Sequence, residues 1–222
     1  MLTPRKRIRK KDLKEDKLVT LYFKSRQWLE ENIKYITGGA TALLVVILGL
    51  LVISHLRQKA GQAASVEFSK ASRLYQASDY RNAAVQFTTI VNRNGGTASG
   101  KLARFYLAQS LYNTGDYVGA QKQFRKFAAS FSADKQIKVT ALGGEAACLE
   151  QQGKPMEAAV KYEAIFDKFK DLPRASYYLL RAARCYELAD NTQKSQALFQ
   201  KIIDDFPDSK EKEDAVLLSA LE

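Results

Sequence analysis

Hydrophobic and polar residues follow two different patterns along this chain. Residues 36–54 form a run of nineteen residues without a charged side chain. A helix of that length measures roughly 28 Å, which is enough to cross the hydrocarbon layer of a membrane. We therefore predict a transmembrane helix over residues 35–56, preceded by a leader at residues 1–34 and followed by a water-exposed domain at residues 57–222.

The leader carries a second apolar pattern. Between residues 18 and 33, apolar side chains recur at steps of three and four residues, which predicts an amphipathic helix. They are Leu18, Leu21, Tyr22, Trp28, Leu29 and Ile33. This juxtamembrane helix either lies along the lipid headgroups, with Trp28 as an interfacial anchor, or is a plain helical extension of the span.

The remaining domain repeats itself at steps of 37, 38 and 37 residues, marked by Tyr80, Tyr117, Pro155 and Thr192. Small residues stand nine positions before and three positions after each marker: Ala71, Ala108, Ala146 and Ala183, then Ala83, Ala120, Ala158 and Ser195. Bulky residues stand seven and ten positions after it: Phe87, Phe124, Tyr162 and Phe199, then Ile90, Phe127, Ile165 and Ile202. This agreement over four copies indicates a repeat architecture.

Each copy is predicted to be a helical hairpin, in which small residues let two antiparallel helices approach closely. Helix-forming residues dominate the domain and prolines are few, so the fold class is all-α. A single hairpin cannot bury its apolar face, and we therefore expect the hairpins to stack into an α-solenoid. The four expected repeats cover about residues 63–97, 98–134, 135–172 and 173–209. The expected C-terminal capping helix covers residues 210–222.

These residues resemble a known family. Gly115-Asp116-Tyr117, followed by Ala120 and Phe124, is similar to the tetratricopeptide repeat (TPR). Trp28-Leu29-Glu30-Glu31-Asn32 before a single span, with repeats beyond it, resembles the YfgM-type family. That resemblance implies a membrane-anchored TPR protein associated with the bacterial Sec translocon and with periplasmic chaperones.

Charge predicts the orientation of the span. The leader holds eleven Lys and Arg against five acidic residues, a net charge of +6, whereas the fifteen residues after Ser54 carry a net charge of +1. By the positive-inside rule, the N-terminus is cytoplasmic, and the domain is periplasmic if the membrane is a bacterial inner membrane. The rival interpretation is a cleaved signal peptide, but the leader is long for one and contains acidic residues.

Nucleic acid is not an expected partner. The basic cluster at residues 5–11 could be a nuclear or nucleic-acid patch, but orientation and anionic lipid already account for it. The overall net charge is +11, and the leader carries +6 of it, so the rest of the chain has a net charge of only +5. A charge of this size is typical of soluble domains in general.

The inventory of reactive residues argues against an enzyme, a cofactor or a metal site. The chain has one histidine, His55, at the end of the span, and two cysteines, Cys148 and Cys185. The cysteines occupy equivalent positions on first helices, which favours two small buried residues, although an oxidising compartment keeps a disulfide open. No glycine-rich phosphate loop or nucleophile motif is present.

Binding of protein partners is the expected activity, on the concave face formed by the first helix of each hairpin. The candidate lining residues are Phe68, Ser72, Tyr75, Leu102, Phe105, Gln109, Tyr112, Tyr177, Leu180, Arg184 and Glu187, with Thr140, Gly143, Ala147 and Glu150 as a shallow third segment. Aromatic residues with scattered polar groups suit extended or helical peptide segments. Alternatively, Phe105 and Tyr112 only pack against neighbouring helices.

Three functional hypotheses follow. The first is a translocon-associated, chaperone-like protein that receives exported polypeptides or docks a periplasmic chaperone. The second is a structural scaffold or assembly factor for an envelope complex. In the third, the leader binds a cytoplasmic partner or anionic lipid and the repeats act only as a spacer. The sequence does not indicate an oligomeric state.

Overall fold

The computed structural model describes residues 17–130 and 134–220. Within these ranges the chain forms nine α-helices and no β-strand, which confirms the all-α prediction. The helices are α1 (Lys17–Gln76), α2 (Tyr80–Asn94), α3 (Ala98–Asn113), α4 (Tyr117–Ser130), α5 (Lys135–Gln151), α6 (Pro155–Phe169), α7 (Ala175–Glu187), α8 (Thr192–Asp205) and α9 (Glu211–Ser219). The leader before residue 17, the predicted repeat end at residues 131–133 and the last two cap residues lie outside the described residues.

The chain divides into two units between Leu56 and Arg57. In the first unit, the apolar part of α1 has a mean hydropathy of 2.6 over its most apolar eighteen-residue window, and none of that window is buried. The helix is long and apolar enough to cross a membrane, a property that it shares with signal sequences. Residues 18–33 belong to the same helix.

The second unit is a stack of four helical hairpins, as the repeat predicts. The end of α1 pairs with α2, and α3–α4, α5–α6 and α7–α8 form the next three hairpins. The eight small residues of the register are completely buried: Ala71, Ala83, Ala108, Ala120, Ala146, Ala158, Ala183 and Ser195. All eight bulky residues of the register are buried as well, so the repeat pattern correctly predicts the core.

The predicted cap is helix α9, which packs on α7 and α8. Its Ala215 is completely buried in the last core cluster. The Ser176 hydroxyl donates a hydrogen bond to Oε2 of Glu211 at 2.9 Å. This helix therefore covers the apolar face of the fourth hairpin.

The turn inside each hairpin contains one residue with a positive φ angle. The four residues are Ser78 (60°), Gly115 (87°), Gly153 (72°) and Asp190 (56°), which follow each other at the repeat spacing. Glycine adopts this left-handed conformation without steric cost, whereas other L-residues lose roughly 1–2 kcal/mol. The first and fourth hairpins are therefore closed by a mildly strained turn.

Polar side chains fix the starts of the helices. In five helices, a carboxylate, amide or hydroxyl oxygen accepts a hydrogen bond from a backbone N–H group of the first turn. A sixth helix, α6, begins at Pro155, and a missing N–H group costs nothing at that position. The capping residues are Asp79, Thr97, Asp116, Asp134 and Asn191.

A buried carboxylate ties α5 to its neighbours. Glu145 is 3% exposed, and its Oε1 accepts a hydrogen bond from Arg125 Nε on α4 at 2.9 Å and forms an ion pair with Lys161 Nζ on α6 at 2.8 Å. Two cations thus compensate a carboxylate that would otherwise be costly to bury. The three-helix contact holds α5 in place, and this helix forms the floor of the groove described next.

Candidate binding groove

An open groove of about 300 Å³ runs along the first helices of the hairpins. Five tyrosines line it, and we refer to it as the tyrosine groove: Tyr75, Tyr112, Tyr162, Tyr177 and Tyr178. Polar side chains accompany them, namely Gln109, Asn113 and Thr140, together with Arg174 and Arg181. The groove therefore offers aromatic surface beside hydrogen-bonding groups.

Two consecutive glycines let the groove floor pack tightly. A Cβ atom on Gly143 would lie 2.7 Å from Cε1 of Tyr178, and one on Gly144 would lie 2.6 Å from Cζ of Phe124. Both distances are shorter than real carbon–carbon contacts allow. The absence of these side chains brings the two aromatic rings against helix α5, and Ala147 continues this shallow floor.

One ion pair joins α5 to α7 at the groove wall, where Arg181 lies. Arg181 donates through Nη2 and Nε to the carboxylate of Glu150, and its Nη1 donates to the Tyr177 hydroxyl at 3.2 Å. The Cys185 thiol also donates to Glu150 Oε1, at 2.8 Å. The Arg181 guanidinium lies 5.4 Å from the Tyr162 ring centroid, so this cation is held by both charge and ring contacts.

Arg174 differs from Arg181 because it makes no ion pair with any described residue. Its guanidinium lies 4.8 Å from the ring centroid of Tyr177, and the residue is exposed. It precedes α7 but provides no side-chain cap to that helix. The groove thus has one cation compensated by a carboxylate and one that is available to a ligand.

Three tyrosine hydroxyls of the groove, those of Tyr75, Tyr112 and Tyr178, remain protonated at neutral pH. Burial raises the pKa of Tyr75, Tyr112 and Tyr178 above the ordinary value of 10.0. The Tyr75 hydroxyl donates to Oε1 of Gln109 at 2.9 Å, which joins the first and second hairpins across the groove. A ligand therefore meets neutral hydroxyl groups as donors and acceptors.

The structure brings several of the sequence-predicted residues together. Within the described chain, the tyrosine groove includes seven of the candidates: Tyr75, Gln109, Tyr112, Thr140, Gly143, Ala147 and Tyr177. Phe68 and Ser72 line a separate concavity of about 500 Å³ at the first hairpin. Glu150 contributes through its ion pair with Arg181.

The other candidates lie elsewhere. Phe105 is buried and its ring contacts those of Phe124 and Phe127, while Leu180 is buried in the last core cluster. Both side chains serve packing and do not line the groove. Leu102 and Glu187 are half-buried, Arg184 is exposed, and none of these three lines the groove.

Sequence reasoning missed seven lining residues: Asn113, Phe124, Gly144, Tyr162, Arg174, Tyr178 and Arg181. Phe124 and Tyr162 belong to second helices, which the prediction treated only as core. The adjacent glycines at positions 143 and 144 were the available signal, because a glycine pair inside a helix indicates close approach of another group.

The structure describes the two cysteines and the histidine named in the sequence analysis. Both cysteine side chains are buried, as predicted. No group of three or more His, Cys, Asp or Glu side chains within the described ranges is placed to hold a metal ion. His55 is an exposed residue in the first unit.

Comparison with known proteins gives two family matches. Residues 26–161, more than half of the chain, match the model of a tetratricopeptide repeat-like domain, and residues 177–209 match that of a tetratricopeptide repeat. No curated protein is a significant match.

A solved structure has a similar fold. It is a crystal structure of nearly identical TPR-like repeats from a protein of Podosopora anserina that is named as a kinesin light chain. The similarity has a TM-score of 0.57 at 16% sequence identity and covers 72% of this chain and 82% of the other. At this identity the likeness concerns the fold alone.

Proposed function

The chain belongs to the tetratricopeptide repeat-like domain family, and on this premise we propose that it is a membrane-anchored interaction protein whose tyrosine groove binds an extended polypeptide segment. TPR proteins are generally non-enzymatic modules for protein–protein interaction. The observation that carries the proposal is the groove itself, with five tyrosines, two side-chain amides and one cation without an ion pair among the described residues.

The chemistry of the groove suits a peptide. Tyrosine provides a large and rigid contact area with a polar tip, so it binds apolar side chains while hydrogen-bonding to a backbone. The amides of Gln109 and Asn113 can pair with the N–H and C=O groups of an extended chain, which otherwise would remain unsatisfied. An extended segment is favoured because the groove is open and shallow over its glycine floor.

The apolar helix is proposed to anchor the repeats in a bacterial inner membrane. Its length and exposure support a span, and the basic leader supports a cytoplasmic N-terminus with a periplasmic repeat domain. The match to the TPR-like family model begins at residue 26 and runs through the apolar stretch. This extent favours a helix that is retained with the repeats over one that is removed.

The topology has a direct test. Protease added to intact spheroplasts should digest the repeat domain and leave a protected fragment that contains the leader. Digestion that occurs only after lysis would overturn the proposed orientation. A mature chain that begins after residue 54 would show instead that the segment is a cleaved signal.

We propose that the bound polypeptides are exported proteins or a periplasmic chaperone, with the anchor beside the Sec translocon. This assignment rests on the resemblance of the leader and span to the YfgM-type architecture and on the predicted topology. A scaffold for an envelope complex is the second candidate. It is favoured by apolar side chains exposed on second helices, away from the tyrosine groove: Val85, Val118 and Val160.

Photocrosslinking in native membranes tests groove binding and separates the two candidates. A photoreactive phenylalanine derivative replaces Tyr112 in the groove or, as a control, Val160, which is 53% exposed on α6. Adducts from Tyr112 to many unfolded exported proteins indicate a chaperone-like role. One stoichiometric adduct from Val160 indicates a scaffold. Absence of adducts at Tyr112 above the Val160 level would contradict groove binding.

A further inference from the structure

A second pocket of about 270 Å³ lies where the third and fourth hairpins meet. Its wall is mainly apolar, and we refer to it as the junction pocket: Val139, Phe169, Leu172, Pro173, Ala175 and Tyr178. It shares Thr140, Arg174 and Tyr178 with the tyrosine groove, so the two cavities adjoin at these residues. A ligand in the groove can therefore extend a side chain into the junction pocket.

Cations surround this apolar pocket. Lys135 Nζ and Lys168 Nζ lie 5.7 Å and 5.8 Å from the ring centroid of Phe169, which lines it. Arg174 lines it beside the groove. None of the three cations forms an ion pair with a carboxylate in the described part of the chain.

The nearby acidic groups form no ion pair with these three cations among the described residues. The carboxylate of Asp134 accepts hydrogen bonds from the backbone N–H groups of Gln136 and Ile137, and it is thereby engaged as the cap of α5. Asp171 belongs to a different cavity, on the side of α8. The rim of the junction pocket consequently favours an anionic ligand.

We propose that the junction pocket selects peptide segments in which an aromatic or branched aliphatic residue is followed by acidic residues. The apolar side chain fills the pocket, and a neighbouring carboxylate pairs with Arg174. This inference rests on the proposed function and specifies which segments the groove prefers. Cations placed at two different rings, Phe169 and Tyr177, favour several acidic side chains over a single C-terminal carboxylate.

The test uses the full chain in detergent micelles and fluorescence anisotropy of labelled, C-terminally amidated decapeptides. The probe is SGSLFEESGS, and its controls are SGSLFQQSGS, which lacks the charges, and SGSAAEESGS, which lacks the apolar side chains. We expect each control to bind about tenfold more weakly, since a charge-assisted hydrogen bond or a buried ring contributes on that order. A further peptide ends in a free carboxylate directly after the Leu-Phe pair. It tests whether a C-terminal carboxylate, instead of acidic side chains, pairs with the cations.

Two chain variants assign the charge effect to one residue. Arg174→Gln should markedly reduce the difference between the glutamate and glutamine peptides, because the carboxylate beside the pocket loses its guanidinium partner and only the two lysines at Phe169 remain. Arg184→Gln is the matched control, since Arg184 is an exposed arginine on α7 that lines neither cavity. It should preserve the difference. Circular dichroism melting checks that both variants fold.

Several outcomes would overturn the inference. They are equal affinity for the glutamate and glutamine peptides, equal weakening of both by Arg174→Gln, stronger binding of the free C-terminal carboxylate, or no binding of any peptide. If peptides fail to bind while Tyr112 still crosslinks to polypeptides in membranes, the selectivity is wrong and the proposed groove function stands. If crosslinking fails as well, both fall.

Discussion

Replacing Ser195 with alanine is expected to stabilise the repeat unit. Ser195 is completely buried in α8, and its hydroxyl oxygen has no hydrogen-bond partner among the residues that the structure describes. The equivalent residue in each of the other three hairpins is an equally buried alanine: Ala83, Ala120 and Ala158. The fourth hairpin thus carries a polar atom at a position where the other three hairpins have none.

The size of the effect follows from three contributions. A buried hydroxyl without a partner costs about 1–3 kcal/mol of desolvation. Alanine exceeds serine in helix propensity by about 0.5 kcal/mol. Removal of one oxygen leaves a small void, which offsets less than about 1 kcal/mol of this gain. We expect a net stabilisation of about 1 kcal/mol, or a rise in Tm of about 2–4 °C for a unit of this size.

Ser110 provides the matched control. Like Ser195 it is completely buried, although it lies on α3, and its hydroxyl donates to the Tyr106 carbonyl at 2.8 Å. Ser110→Ala should therefore be neutral or destabilise by up to about 1 kcal/mol. Urea unfolding of the full chain in micelles, followed by circular dichroism, compares the midpoints. A lower midpoint for Ser195→Ala, or equal shifts for both variants, would refute the reasoning.

Three further predictions concern packing, turns and thiols. Gly144→Ala should destabilise the chain by about 1–3 kcal/mol because its Cβ would meet the Phe124 ring. Gly61→Ala should be neutral or stabilising, because outside its own stretch of helix no described atom lies within 4 Å of the added Cβ; equal midpoints in urea would contradict this difference. Asp190→Gly should raise the Tm, since it removes about 1 kcal/mol of left-handed strain, and an unchanged or lower Tm would argue against strain. Burial raises the pKa of Cys148 from 9.0 to about 12, so maleimide at pH 8 should modify it only after unfolding. The folded state retains this proton, and its stability should therefore fall as the pH rises from about 9 towards 12. Rapid labelling of the native chain would contradict the burial.

The repeat register predicted the core because each hairpin needs the same type of residue at the same position of its helices. Close approach of two helices needs a small residue at one fixed position, and Ala71 and Ala83 are buried as that requirement demands. Turn positions followed from the same periodicity. The register did not reveal that Ser78 and Asp190 adopt the conformation that Gly115 and Gly153 adopt freely, because that depends on backbone geometry at the turn.

The groove was only partly predictable, since it depends on contacts between hairpins. Counting along first helices identified Tyr112 and Tyr177, but it could not distinguish them from Phe105, whose ring packs within its own hairpin. The partnership of Glu150 with Arg181 joins different repeats and follows no sequence period. Arg174 lies in a connection, where no helical pattern could assign its position.

The most direct test of groove binding is a variant that fills the tyrosine groove. Ala147 lines its floor and is half-buried, so Ala147→Trp should occupy much of its volume of about 300 Å³. Ala164→Trp is the control, because Ala164 is an exposed residue of α6 outside the groove. Tagged chains are purified from membranes, and the copurifying polypeptide is quantified by mass spectrometry. The account predicts loss of that polypeptide with Ala147→Trp and retention with Ala164→Trp, whereas equal recovery from both folded variants would contradict it.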